Sequence, residues 1–143
     1  MFVKQLSLFI ENRSGRLAAA CRALADKDIN ILALSLADTA DFGILRLIVN
    51  DPEAAVADLK ASGFTVVTND VLAVEVADKP GGLFSLLEVL EKNSVNVEYM
   101  YAFSSIMTKR AALIFRFEDN DAAIKVLNEA DIGVMNKIDV LGQ

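Results

Sequence analysis

The chain repeats itself, and that limits its possible folds more than any other feature. A shift of 66 residues sets Asn12-Arg13-Ser14-Gly15-Arg16-Leu17 on Asp78-Lys79-Pro80-Gly81-Gly82-Leu83, and Ile29-Asn30-Ile31 on Val95-Asn96-Val97. Further along, the shift becomes 68 and places Asn50-Asp51-Pro52-Glu53-Ala54-Ala55 on Glu118-Asp119-Asn120-Asp121-Ala122-Ala123. Two residues are therefore inserted between these blocks in the second copy. A hairpin tolerates such an insertion with both flanks still in step, and a helix does not. Each stretch of about 70 residues must make one structural unit, so the predicted domains are 1–69 and 70–143.

The order of periods is the same in both copies. Phe2 to Ile10 and Val71 to Ala77 read as apolar strands. Leu17, Ala20, Cys21 and Leu24 then recur at i, i+3, i+4 and i+7, as do Leu83, Leu86, Leu87 and Leu90. Each set is one stripe of an amphipathic helix, which predicts a buried Cys21 acting as a small core residue. Two strands follow in each copy: Asn30 to Ala37 with Gly43 to Asn50, and Asn96 to Phe103 with Ala111 to Phe117. Asp51 followed by Pro52, and Asp119, signal second helices. Their stripes are Val56 and Leu59, and Ile124 and Leu127; Gly63 ends the first. Phe64 to Thr68 and Ile132 to Asp139 close the copies as last strands. Strand, helix, strand, strand, helix, strand is the split βαβ, or ferredoxin-like, plan. A 70-residue copy alone is marginal, and only Asn69 and Asp70 join the two. The predicted fold is α+β, with two ferredoxin-like βαββαβ units side by side forming an eight-stranded antiparallel sheet with four helices on one face.

Composition removes several functions. The 143 residues carry 14 Lys plus Arg against 20 Asp plus Glu, a net charge of -6. A nucleic-acid footprint is therefore not expected. The absence of His removes the commonest general base and metal ligand, and Cys21 is the only cysteine, so neither a metal site nor an internal disulfide is expected. The acidic run from Glu118 to Asp121 lacks the glycine and distal Glu of a calcium loop and reads as a helix cap and first turn. The longest uncharged run, Tyr99 to Thr108, is half a membrane span. The N-terminus offers no signal-peptide core. No membrane association and a cytoplasmic location are the expectations.

The turn from first strand to first helix carries the chemistry. Free amides at a helix N-terminus, with the positive end of its dipole, suit a small carboxylate or phosphate. Gly81 allows close backbone approach, and Asp78, or Asn12 in the first copy, is placed to accept hydrogen bonds from a ligand's amino group. The alternative is a capped turn in which Asp78 and Ser14 serve only their own backbone. Tyr99, Tyr101 and Phe103 alternate on one strand face, which suits packing against the other copy or another subunit, or a ligand wall.

Asp78-Lys79-Pro80-Gly81-Gly82-Leu83, an apolar helix, and then Val95-Asn96-Val97 resemble the ACT domain, a regulatory module of amino-acid metabolism. Gly15, Leu17, Asn30 and Ile31 resemble it in the first copy. The resemblance implies a tandem pair that binds an amino acid between copies, where the glycine turn of one meets the start of the second strand of the other. Carried over, the site residues are Asp78, Pro80, Gly81, Gly82 and Leu83 with Asn30 and Ile31, and Asn12, Ser14, Gly15, Arg16 and Leu17 with Asn96 and Val97. The first copy departs from the pattern, with Ser14 in place of Pro80 and Arg16 in place of Gly82. Arg16 either clamps a ligand carboxylate or fills the pocket, so the two sites need not be equivalent.

The implied function is a non-catalytic, amino-acid-binding regulatory protein without a cofactor. Its expected partners are the free amino acid, a second copy in a homodimer, and an amino-acid biosynthetic enzyme regulated in trans, because the two copies use up the chain. One alternative is a small ferredoxin-like enzyme that handles phosphate with Arg13, Arg16 and Asn30 or Asn96. A ligand-free assembly module is another. An RNA-binding βαββαβ unit needs stacking aromatics and basic surroundings, which Gly43 to Asn50 does not offer.

Overall fold

The computed structural model describes residues 2–38, 41–103 and 110–141. It divides into two compact units, Lys4–Asn69 and Asp70–Gln143 with Met1–Val3. The first runs β1 (Val3–Glu11), α1 (Arg16–Asp26), β2 (Ile31–Asp38), β3 (Phe42–Val49) and α2 (Pro52–Ala61). Its strands lie in the order β2-β3-β1, all antiparallel neighbours. Leu6 stands opposite Leu47 and Leu8 opposite Leu45. The period-2 alternation thus sends these four leucines to one face, where they meet Leu24 of α1 and Leu59 of α2 in one core.

Strand β4 (Thr65–Ala77) ends the first unit and begins the second, where it is followed by α3 (Gly82–Lys92), β5 (Val97–Phe103), β6 (Arg110–Phe117), α4 (Asn120–Glu129), β7 (Val134–Met135) and α5 (Lys137–Leu141). The order is β4-β6-β5, with β7 also on β4. Leu72, Val74, Leu86, Leu90, Phe115 and Leu127 form its core. Each unit is a split βαβ, as the periods imply.

The sequence expectation needs three corrections. Seven strands stand in place of eight among the described residues, because the last strand of the first copy and the first of the second are one strand, Thr65–Ala77. The final strand does not reach Asp139. Asn136 Oδ1 accepts from the Asp139 amide at 2.8 Å and Asp139 Oδ2 accepts from the Asn136 amide at 3.3 Å, a reciprocal box that starts α5, a fifth helix. Cys21 is exposed, not buried, since α1 buries only Ala20 and Leu24 of its stripe. The expected hairpin insertion falls on residues 104–109, outside the described residues. No helix among the described residues is long and apolar enough to cross a membrane.

The second helices begin as their sequence signals require. Asp51 accepts from the Ala54 amide at 3.1 Å and Asp119 from the Ala122 amide at 3.0 Å. Each satisfies an amide that the helix itself leaves without a partner. Asp51→Ala or Asp119→Ala should each cost about 1 kcal/mol, read as a lower urea midpoint at unchanged slope; an unaltered midpoint would mean that the cap is not holding the helix.

Candidate functional site

Both strand-to-helix turns are closed by backbone alone. Lys79 N donates to Ala77 O and Gly82 N to Lys79 O, both at 3.0 Å. In the first copy Arg13 N reaches Glu11 O at 2.8 Å and Arg16 N reaches Arg13 O at 3.4 Å. The residues capping α1 and α3 are Gly15 and Gly81, at φ of 90° and 84°, in the left-handed region that glycine enters without a Cβ penalty. Neither helix receives a side-chain cap or an acidic residue in its first turn. Ser14 and Asp78 therefore do not serve the turn backbone as caps. Asn12, Ser14, Asp78 and Pro80 are all exposed. A Cβ built on Gly15 or Gly81 would meet nothing within 4 Å, so both turns are open on that side.

The two turns differ where Arg16 replaces Gly82. A Cβ on Gly82 would overlap the Ala77 carbonyl oxygen, so the second turn requires glycine there. Arg16 lies with its guanidinium carbon 4.8 Å from the centre of the Phe64 ring, a cation–π arrangement. Its Nε is buried without a hydrogen-bond partner. Beside the first turn Asn12, Arg13 and Leu17 share a cleft of about 200 Å³ with Leu36 and Gly43. The last two were not picked out from the sequence. Their nearness follows from register, in which Gly43 faces both Ile10 and Asp38, and hydrophobic periods do not reveal register.

The asparagines stand elsewhere. Asn30 N donates to Asn50 Oδ1 at 2.9 Å and its carbonyl accepts from Asn50 N at 3.1 Å. The Asn96 carbonyl accepts from Glu118 N at 3.3 Å. Both asparagines are exposed, and Ile31, Val97 and Gly82 are half-buried, while Leu17 and Leu83 are exposed. Glu11 pairs with Phe42, whereas Ile31 pairs with Val49. Seven residues of β3 therefore separate the turn from the start of β2, about 23 Å at 3.3 Å per residue. Ala77 with Arg110, and Val97 with Phe117, repeat the separation in the second unit. Neither unit brings its own turn to its own asparagine.

A family model described as an ACT domain pair matches residues 1–141. The chain belongs to this family. The ACT pair is similar to protein BT0572 from Bacteroides thetaiotaomicron, with 39% identity, 100% of this chain and 98% of that one covered, and a TM-score of 0.93. The regulatory subunit of aspartate kinase from Thermus thermophilus, in its ligand-free form, is 18% identical over 89% of this chain and 91% of that one, with a TM-score of 0.64. Its counterpart from Thermus flavus gives 18%, 90%, 92% and 0.61. These two share the fold with the ACT pair. No match is found among curated proteins.

The remaining candidates in the ACT pair have local roles. Arg13 pairs with Glu11 at 2.8 Å on the surface and Arg16 lies over Phe64. Tyr99, Tyr101 and Phe103 are half-buried on β5, opposite Arg116, Ile114 and Ala112 of β6. No group of three or more His, Cys, Asp or Glu capable of holding a metal occurs among the described residues.

Proposed function

We propose that this ACT pair is a non-catalytic sensor that binds a free amino acid and passes its occupancy to another polypeptide. The turn from Asp78 to Leu83 is one half of the site, and the start of a neighbouring unit's second strand, Asn30 and Ile31, is the other. Asn12, Ser14, Gly15, Arg16 and Leu17 with Asn96 and Val97 form the corresponding set. The observation that carries this reading is the pair of glycine-capped turns, each opening a helix that no side chain caps. Such amides complement a carboxylate, and the Asp78 carboxylate complements an ammonium group. A ligand touching two units favours the arrangement that holds them together, which is a population shift. The corresponding role, in line with the aspartate kinase regulatory subunits that share the fold, is control of an amino-acid biosynthetic enzyme in trans by a homodimer in the cytoplasm.

The test is a thermal-shift screen of the twenty amino acids. At about 100 times its dissociation constant a ligand adds about 2.7 kcal/mol of stability, a rise of several degrees. Gly81→Val should then abolish calorimetric binding of the hit. Left-handed strain at that position costs about 1–3 kcal/mol, small enough to leave the chain folded. Full affinity in the folded variant would put the ligand elsewhere, and no hit in the screen would remove the amino acid as ligand.

A further inference from the structure

A second cleft runs along α1 from Gly15 of the turn. It opens between α1 and the end of α2, has a volume of about 460 Å³, and is lined by Gly15, Arg16, Arg22, Asp26, Ser62 and Phe64 among others. Among the described residues its two guanidinium groups have no protein acceptor. Neither Arg16 nor Arg22 makes an ion pair or hydrogen bond among the described residues, and the Arg16 Nε is closed off from solvent. A buried donor without a partner is rare in native structures. The one carboxylate in the cleft, Asp26, follows Arg22 by four residues, where a helical ion pair would form, yet none is made. The lining therefore carries an excess positive charge in a chain of net charge -6.

The duplication supplies a control. The equivalent cleft of the second copy, about 340 Å³, is lined by Lys79, Gly82, Ser85, Asp131 and Ile132 among others, with Glu75 and Arg110, so its two cations are matched by two carboxylates. There the 66-residue shift puts Gly82 in place of Arg16 and Glu88 in place of Arg22, and the 68-residue shift puts Ile132 in place of Phe64. Glu88 is paired with Lys92 at 3.3 Å, and Arg110, which lines this second cleft, with Glu75 at 3.1 Å. Both arginines and the ring beneath Arg16 thus belong to the first copy alone. The fold does not demand them, since the second copy folds without them.

We propose that the first-copy cleft, which extends from Gly15 along α1, is a binding site for a small oxyanion, a phosphate or carboxylate group of a metabolite. Guanidinium forks donate two parallel hydrogen bonds to either group. Phe64 holds one fork in place before the ligand arrives, and the alanines between the arginines leave it room. Such a site shares Gly15 and Arg16 with the first glycine turn, so its input bears on an amino acid bound there and is independent only of the turn from Asp78 to Leu83.

Inorganic phosphate and malonate, titrated separately at constant ionic strength, are the probes. The expected result is saturable shifts of the Ala18, Ala19, Ala23 and Ser62 amide signals in heteronuclear NMR spectra, and the tighter probe tells phosphate from carboxylate sources. Arg22→Gln should weaken binding at least tenfold with an unchanged melting temperature, because Arg22 has no partner to lose. Arg16→Lys, which keeps the charge and loses the stacked fork, should weaken it as well, and Glu88→Gln in the second copy should not. Non-saturating shifts, equal shifts with chloride, or wild-type affinity in Arg22→Gln would each overturn the proposal. None of these outcomes bears on amino-acid binding at Asp78 to Leu83, which Gly81→Val tests.

Discussion

Truncating Phe115 to alanine is expected to lower the unfolding free energy by about 3–5 kcal/mol, the usual range for a buried phenylalanine. The ring is fully buried at the centre of the second unit's core and stacks on Phe117 at a centroid distance of 5.2 Å, with 5° between the planes. Removing it loses the transfer energy and leaves a cavity in the core that also holds Leu72, Leu86 and Leu127, residues of strands and helices whose backbones hold them in place. Urea unfolding followed by circular dichroism measures the loss. A value below about 2 kcal/mol would mean that the core collapses into the space, and hence that it is packed more loosely than its burial indicates.

Gly82→Ala should destabilise the protein by about 1–3 kcal/mol, the range for forcing a group into filled space. Intrinsic helix propensity argues the other way, because alanine is favoured over glycine by about 1 kcal/mol within helices. The sign therefore decides between the two effects. The added methyl would overlap the Ala77 carbonyl oxygen, a backbone atom that cannot swing aside as a side chain does. Should denaturant unfolding find Gly82→Ala more stable than the parent, the strand end and helix start are further apart than described.

That glycine also shows how far the sequence could be read. The repeat, the change of period from strand to helix and the Asp51 and Asp119 caps depend on local spacing, so both units were legible, with Leu24, Leu86 and Leu90 of the helix stripes in their cores and Leu17, Leu83 and Leu87 exposed. The contrast between Arg16 and Gly82 was legible only as a clamp for a ligand carboxylate or a difference in bulk within a pocket. In the structure it is first a matter of backbone approach in one copy and of a stacked guanidinium in the other, and both depend on atoms distant in sequence. Cys21 and Leu87 sit on genuine apolar stripes, but a period does not tell how wide a stripe the sheet covers. The 23 Å between each turn and its own asparagine comes from strand register, which only the paired strands reveal. For Asn136 and Asp139 the signal was present, a capping pair three residues apart, and a strand reading of Ile132 to Asp139 ran over it.

The junction between the copies has a consequence for inheritance. Asn69 and Asp70 are inside a continuous strand, and the Asp70 carbonyl accepts from Arg116 at 2.9 Å and Asn120 at 3.0 Å. Modular proteins exchange parts by recombination in loops, where a crossover disturbs little. Here a crossover between the halves would cut a strand and orphan the side chains that hold its backbone. A junction of this kind favours inheritance of the two copies as a single cassette, in which one half is not readily exchanged for a relative's.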